Sequence, residues 1–222
     1  MCKGIRVATS HPRLIAAARD ALAPLLDSGR PRIIVGIAGP PAAGKSTLAT
    51  SLAHNLRARF GPDAAVAVPM DGFHLANAEL ERLGLADRKG APETFDAGGF
   101  VHLLRRLRDP QERMVYAPEF NRALNESIGS AVPVSHCVRT VVVEGNYLLV
   151  PEPPWAPVRG LLDLALYIDA PRRVRVDALL RRQHARGLDR AAAHNWVHRS
   201  DEANAELIAQ TRHLADLVLQ RP

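Results

Sequence analysis

The strongest chemical signal in the sequence is a glycine-rich segment that ends in lysine and serine. Residues 39–46 read Gly-Pro-Pro-Ala-Ala-Gly-Lys-Ser and match G-x-x-x-x-G-K-[ST] at every fixed position. Such a loop turns successive backbone N–H groups toward a phosphate, while the lysine reaches the outer phosphates and the hydroxyl ligates Mg²⁺. The segment predicts a nucleoside triphosphate site built from Gly39, Pro40, Ala42, Ala43, Gly44, Lys45, Ser46 and Thr47.

Two carboxylates follow apolar runs that read as strands. Asp71 comes after residues 64–68, and Glu144 comes directly after Val141-Val142-Val143. The carboxyl ends of parallel strands meet at the edge of the sheet where ligands bind. There Asp71 can take the proton from an attacking hydroxyl, and Glu144 can hold Mg²⁺ directly or through water. Two alternatives stay open: Asp71 could only begin a turn, and Glu144 could be a solvated residue at the end of its strand.

The segment from Pro171 to Arg190 is rich in arginine. Arg182 and Arg186 are four residues apart and share one face of a predicted helix, which can close over a triphosphate and stabilise charge on the transferred group. The alternatives are a solvated basic helix or a nucleic-acid contact. The 29 Lys and Arg against 23 Asp and Glu give a net charge of +6, which suits an anionic ligand. Aromatic residues make up only 5% and do not alternate with basic ones, which disfavours nucleic acid.

Hydrophobic periodicity predicts the elements that position these residues. Helical spacing covers residues 11–27 and the segment through Leu48, Leu52 and Leu56, residues 77–112 are mainly helical, and 171–186 form an arginine-rich helix. Strands are predicted at 32–38, 64–68, 114–117, 132–135, 141–143, 163–168 and 214–219. Alternating strands and helices imply a parallel sheet covered on both sides, which is an α/β fold.

Length and composition exclude several other classes. The 222 residues hold no run of about 18 apolar residues, which excludes a membrane span. Cys2 and Cys137 are the two cysteines; they lie far apart and match no metal or C-x-x-C spacing. Arg19 and Asp20 interrupt the apolar segment at 14–26, so we do not expect a signal peptide there. A cytoplasmic protein is expected.

Several motifs together resemble one group of kinases. The sequence contains, in this order, the phosphate loop, a strand ending in Asp71-Gly72-Phe73, the segment 88–96 (Arg-Lys-Gly-Ala-Pro-Glu-Thr-Phe-Asp) and a strand ending in Glu144-Gly145. This set and order of motifs resembles the phosphoribulokinase, uridine kinase and bacterial pantothenate kinase group. The motifs at 116–122 and 144–149 look closest to the nucleoside/nucleotide kinase-like, or fructose transport system kinase-like, branch. The resemblance implies a P-loop NTPase fold with three α/β/α layers, a mostly parallel five-stranded sheet and an arginine-rich helical lid. It places one domain over 1–222, with the lid at about 171–195 and an acceptor-binding insertion at about 72–136.

The same resemblance assigns roles to residues. It implies ATP and Mg²⁺ as cofactors, Asp71 as catalytic base, Lys45 at the phosphates and Ser46 at the metal. The uridine kinase lid motif matches residues 181–187, so Arg181 and Arg186 are the implied lid arginines, and Arg182 stands where that motif has aspartate. Glu144 is implied at the metal or at the acceptor. The acceptor is expected near Asp71, His74, Arg88, Lys89, Tyr116, Arg122 and Glu144.

We therefore expect an ATP-dependent kinase that transfers the γ-phosphoryl group to a hydroxyl of a small metabolite resembling a nucleoside, pantothenate or a sugar. The alternative is a P-loop ATPase or nucleotide-gated switch without a small-molecule acceptor. Related kinases are often dimers, so a homodimer is compatible with the resemblance. Arg122 suits an acceptor with a carboxylate or phosphate, but it can equally pair with Glu119 or Asp96.

Overall fold

A computed structural model describes residues 12–109 and 111–221, so Cys2 and the first residue of the predicted N-terminal helix lie outside it. The helices are α1 (Pro12–Leu26), α2 (Lys45–Phe60), α3 (Asn77–Arg82), α4 (Ala97–Arg108), α5 (Pro157–Gly160), α6 (Arg172–Ala185), α7 (Arg190–Trp196) and α8 (Glu202–Gln210). The strands are β1 (Ile33–Ala38), β2 (Ala65–Pro69), β3 (Met114–Asn121), β4 (Glu126–Ser135), β5 (Thr140–Glu144), β6 (Leu164–Asp169) and β7 (Leu217–Gln220). Within the described residues, no helix is long and apolar enough to cross a membrane.

Five strands form one sheet in the order β2-β5-β1-β6-β7, and every neighbouring pair is parallel. The register pairs Ile33 of β1 with Thr140 of β5, and Ala65 of β2 with the same threonine. The carboxyl ends of β1, β2 and β5 therefore meet at one edge of the sheet. The predicted α/β fold with a five-stranded parallel sheet is confirmed.

Helices cover both faces of the sheet because its central strands are apolar on both sides. On β1, Ile33, Val35 and Ile37 pack in one core with Leu48 and Leu52 of α2. On the other face, side chains from β1 and β5 pack in a second core with residues of α4, α5 and α8, among them Ile34, Val141, Phe100, Leu104, Val158 and Ile208. A strand that is buried on both faces carries a continuous apolar run, which is the pattern that β1 shows in the sequence.

The segment after α4 differs from the prediction. Instead of two short strands at 114–117 and 132–135 flanking a loop, β3 and β4 form an antiparallel hairpin that stands apart from the main sheet. Pro118, Pro133 and Gly129 weaken the strand pattern in the sequence, because proline lacks an N–H and glycine has no side chain to pack. A bulge between Ala117 and Glu119 accommodates Pro118 within the ladder.

Two other predicted segments are more irregular or shorter than expected. Residues 83–96, expected to be mainly helical, form turns and short 3₁₀ segments between α3 and α4. The last strand begins at Leu217 rather than at residue 214, since Arg212–Leu214 make a 3₁₀ turn. Beyond the predicted lid segment at 171–195, α7 continues through a π-helical segment at Val197–Asp201 directly into α8.

Candidate active site

The phosphate loop connects β1 to α2 and depends on two glycines. Gly39 has a φ of 145° and packs so closely on β6 that an added Cβ would lie 2.7 Å from the carbonyl oxygen of Ile168. Gly44 has a φ of 102° and caps α2, which begins at Lys45. Both residues adopt the backbone region that side chains disfavour. The first turn of α2 contains no acidic residue, so its free N–H groups are available to an anion.

Lys45 is buried, with only 7% of the residue exposed. Its Nζ donates to the carbonyl oxygen of Pro40 at 3.0 Å and to Oδ1 of Asn146 at 2.6 Å. Burial lowers the pKa of Lys45 to about 8, although the carboxylates of Glu144 and Asp71 act in the opposite direction. A triphosphate in the loop would supply the anionic partner that favours the charged amine.

Ser46 and Glu144 present the oxygen ligands that Mg²⁺ prefers. The Ser46 hydroxyl donates to Oε1 of Glu144 at 2.8 Å, and Glu144 is only 6% exposed. Desolvation, followed by the negative charge of Asp71, raises the pKa of Glu144 to about 7. Burial disfavours the charged carboxylate even with Lys45 nearby, and a divalent metal would stabilise it, so the pair fits such an ion. In the described part of the chain, no three His, Cys, Asp or Glu residues group as a metal site, so triphosphate oxygens and water would complete the coordination.

Asp71 lies in a 3₁₀ turn that directly follows β2. The turn packs tightly against the hairpin, because a Cβ added to Gly72 would lie 2.4 Å from the carbonyl oxygen of Pro118. Oδ2 of Asp71 lies 3.3 Å from a terminal nitrogen of Arg122, which is in the turn of the hairpin. The His74 ring stands 2.7 Å from the Asp71 carbonyl oxygen, and burial lowers the pKa of this histidine. A carboxylate thus faces the cleft with a cation beside it.

Arg182 of α6 and Arg186, the C-terminal cap of this helix, both extend to the cleft. Arg182 is one of the residues that line the cleft, and desolvation, followed by the positive charge of Arg122, lowers its pKa. Arg186 donates to Oε1 of Gln183 at 3.3 Å and to Oδ1 of Asn125 at 3.1 Å, which links this helix end to the hairpin turn. Arg181 is exposed and does not line the cleft, although the resemblance pairs it with Arg186. Successive residues of an α-helix point about 100° apart, so one of two neighbours turns away.

These groups surround one cleft of about 680 Å³. Most of the residues expected at the site line it: Ala42, Gly44, Lys45, Ser46, Thr47, Asp71, His74, Lys89, Arg122, Glu144 and Arg186. Gly39, Pro40 and Ala43 belong to the phosphate loop but do not line the cleft.

Two residues expected at the acceptor lie elsewhere. Arg88 forms an ion pair with Glu93 on the surface, at 2.5 Å. Tyr116 is 54% exposed on β3, where its neighbours Val115 and Ala117 are buried. Adjacent side chains of a strand point to opposite faces, so Tyr116 faces solvent.

The structure adds cleft residues that motif matching missed. Asn146 binds Lys45 and lies two residues after Glu144, and Asn204 of α8 donates to the carbonyl oxygen of Gly90 at 3.2 Å. Arg221 follows β7 at the same sheet edge and donates to the carbonyl oxygens of Ala42 and Ala43 at 3.2 and 3.1 Å. Asp201, in the π-helical segment, also lines the cleft. For Arg221 the available signal was its place two residues after the last predicted strand, at 214–219.

Comparison with known proteins gives one family and several relatives. The profile described as "Phosphoribulokinase / Uridine kinase family" matches residues 34–222. "Putative uridine kinase C227.14" of Schizosaccharomyces pombe is 33% identical over 86% of this chain and 83% of the relative. A pantothenate kinase of Lacticaseibacillus casei is 32% identical over 62% of this chain and 44% of the relative. The crystal structure of a "putative fructose transport system kinase" from Silicibacter sp. TM1040 is 39% identical, with a TM-score of 0.84 over 92% of this chain and 98% of that one.

Proposed function

We propose, from the premise that this chain belongs to the phosphoribulokinase/uridine kinase family, that it transfers the γ-phosphoryl group of ATP to a hydroxyl of a small metabolite. Family membership confirms the resemblance expected from the motifs. The observation that carries the proposal is that Asp71, after β2, and the phosphate loop, after β1, face one cleft at the same edge of the sheet, with β5 between the two strands. The cleft has room beyond the loop, between the hairpin turn and α6, for a second substrate.

The cleft divides into a nucleotide end and an acceptor end. At the nucleotide end, the backbone of the loop would hold the β-phosphate while Lys45 contacts the outer phosphates. Mg²⁺, held by Ser46 and by Glu144 directly or through water, would neutralise charge on the phosphates. The second possibility for Glu144 is a contact with the acceptor. At the other end, Asp71 would accept the proton of the attacking hydroxyl.

The lid arginines complete the charge balance. As the phosphoryl group moves, negative charge on its equatorial oxygens is stabilised by positioned cations. Lys45 already lies at the loop, and Arg182 and Arg186 line the cleft from the side of α6. Their convergence from separate elements supports phosphoryl transfer over a simple anion-binding role. The lid motion itself and a homodimer stay predictions.

The test is ADP release from Mg-ATP by the purified protein against nucleosides, pantothenate, sugars, sugar acids and sugar phosphates. We expect one class of acceptor to stimulate turnover. Asp71→Asn should keep the KM for ATP within about twofold and lower kcat by roughly 10²–10⁴-fold, the range for a lost general base. Asp27→Asn is the matched control, because Asp27 is an exposed carboxylate after α1.

Two outcomes would contradict the proposal. Steady ADP release that no acceptor changes would favour the ATPase or switch. Near-normal turnover of Asp71→Asn would remove this residue from the role of base, even if an acceptor is found.

A further inference from the structure

Arg122 is positioned at the acceptor end of the cleft with most of its hydrogen-bonding capacity unused. Its guanidinium contacts Oδ2 of Asp71 through one terminal nitrogen, at 3.3 Å, and this is the side-chain contact that it makes among the described residues. The side chain is 55% exposed and lines the cleft. A guanidinium carries five N–H donors in a planar fork that matches a carboxylate or phosphate. Arg122 can therefore bind a second anion while it stays next to Asp71.

Lys89 supplies a second cation at the same end. Its Nζ donates to Oδ1 of Asn77 at 2.5 Å and to the carbonyl oxygen of Asn125 at 2.7 Å, and it lies 5.2 Å from the centre of the Phe120 ring. These two bonds leave one of its three N–H donors. Burial lowers the pKa of Lys89, whereas Glu126 acts to raise it. An anionic ligand at this place would favour the charged amine.

The charge of the whole cleft points the same way. Three carboxylates line it: Asp71, Glu144 and Asp201. Burial lowers the pKa of His74, which favours its neutral form, so His74 is not counted among the charges. Six cationic side chains line the cleft: Lys45, Lys89, Arg122, Arg182, Arg186 and Arg221. Mg-ATP brings roughly two more negative charges, so one positive charge in the cleft is left without a partner when the nucleotide is bound.

We infer that the acceptor is a small hydroxylated anion whose carboxylate or phosphate is bound by Arg122 and Lys89 while its hydroxyl lies at Asp71. This inference rests on the proposed kinase function. The anion and the hydroxyl must be close together in the molecule, because Arg122 directly contacts Asp71. A neutral nucleoside would leave the surplus positive charge without a partner.

The first test compares pairs of related acceptors in which one member carries a carboxylate or phosphate and the other is neutral. Glycerate is set against glycerol, gluconate against glucose, pantothenate against panthenol, and a sugar phosphate against its free sugar. We expect the charged member of at least one pair to stimulate ADP release at least about tenfold more than its neutral twin, the size of one charge-assisted hydrogen bond. The carboxylate and phosphate pairs distinguish the two kinds of anion. A preference for neutral members would overturn the inference and leave the kinase function intact.

Variants identify the residue responsible. Arg122→Gln should raise the KM for the charged acceptor at least about tenfold, leave the KM for ATP within about twofold, and abolish the preference for charge. Arg113→Gln is the matched control, since Arg113 is exposed, lies before β3 and does not line the cleft. Equal acceptor KM values for the two variants would contradict the role of Arg122.

A binding measurement keeps the inference testable without turnover. Inorganic phosphate is titrated by calorimetry into protein that is saturated with Mg²⁺ and a non-hydrolysable ATP analogue, so that the triphosphate site is filled. We expect binding that Arg122→Gln weakens at least about tenfold and that Arg113→Gln leaves unchanged. Such binding in a protein that phosphorylates no acceptor would support the anion site while the kinase proposal fails. Binding that is absent, or equal in both variants, would overturn the anion site.

Discussion

Ser46, in the first turn of α2, donates its hydroxyl proton to Oε1 of Glu144 at the end of β5, across 2.8 Å. The two residues are 98 positions apart in the sequence, and the parallel pairing of β1 with β5 brings them together. A hydroxyl and a buried carboxylate next to the phosphate loop are suited to hold the metal of Mg-ATP.

We therefore expect Ser46→Ala and Glu144→Gln to raise the Mg²⁺ concentration for half-maximal activity by about 10–100-fold, as losses of metal-site partners do. The measurement is ADP release against total Mg²⁺ at a fixed ATP concentration. Ser51→Ala, in the same helix but away from the cleft, and the exposed Glu152→Gln are the matched controls. Metal dependence that stays the same in Glu144→Gln would instead favour contact of Glu144 with the acceptor.

The two neighbouring arginines of α6 provide a sharp comparison. Both arginines are exposed, but Arg182 lines the cleft and Arg181 does not. We expect Arg182→Ala to lower kcat by about 10²-fold or more, because it removes a cation that stabilises charge in the transition state. Arg181→Ala should stay within about twofold. The measurement is the kcat of both variants in steady-state assays. A larger loss of kcat in Arg181→Ala than in Arg182→Ala would favour the pairing of Arg181 with Arg186 that the resemblance implies.

Asp201 gives a prediction on the pH dependence of stability. Desolvation raises its pKa to about 6, although Arg182, Gln183 and Arg186 favour the charged form. Because the folded state binds this proton more tightly than the unfolded state, with its ordinary pKa of about 3.9, the free energy of unfolding should fall as pH rises from about 4 to 6. In Asp201→Asn, this fall in the free energy of unfolding should be smaller by about 2–3 kcal/mol than in the wild type.

Urea unfolding of the ligand-free protein at several pH values checks this prediction. The wild type and Asp201→Asn are compared, so that effects of other groups cancel. Asp177→Asn is the control, because Asp177 is an exposed carboxylate on α6. An Asp201→Asn variant with the same pH slope as the wild type would show that folding does not raise the pKa of Asp201.

Arg32 joins three separate segments at the start of β1. It is 5% exposed and donates to the carbonyl oxygens of Val138, Leu107 and Ser135, at 2.9, 3.0 and 2.7 Å. Arg32→Met would leave these acceptors without their charged donor, and we expect it to lower the free energy of unfolding by roughly 3–5 kcal/mol. Denaturant unfolding measures the loss, with the exposed Arg105→Met of α4 as control. A loss within about 1 kcal/mol of that control would show that water replaces the arginine at little cost.

The sequence by itself determined the sheet, the phosphate loop and the places of the two carboxylates. A short apolar run that ends at a glycine-rich turn, such as β1, predicts a strand buried on both faces, and Gly39 and Gly44 mark a turn that other residues rarely adopt. Asp71 and Glu144 follow such runs, so parallel pairing sends both to one edge without further information. The family membership follows from the same motifs and is confirmed.

Only the tertiary structure decided which side chains enter the cleft. Helical periodicity cannot show whether Arg181 or Arg182 faces the cleft, because that depends on how α6 packs against the rest of the protein. The contact of Arg122 with Asp71 needs the whole hairpin, whose prolines hide its strand pattern. Arg221 binds the carbonyl oxygen of Ala42 across 179 positions of sequence. Local patterns carry no information about such pairs, since the strand order and the packing angles that create them are properties of the folded chain.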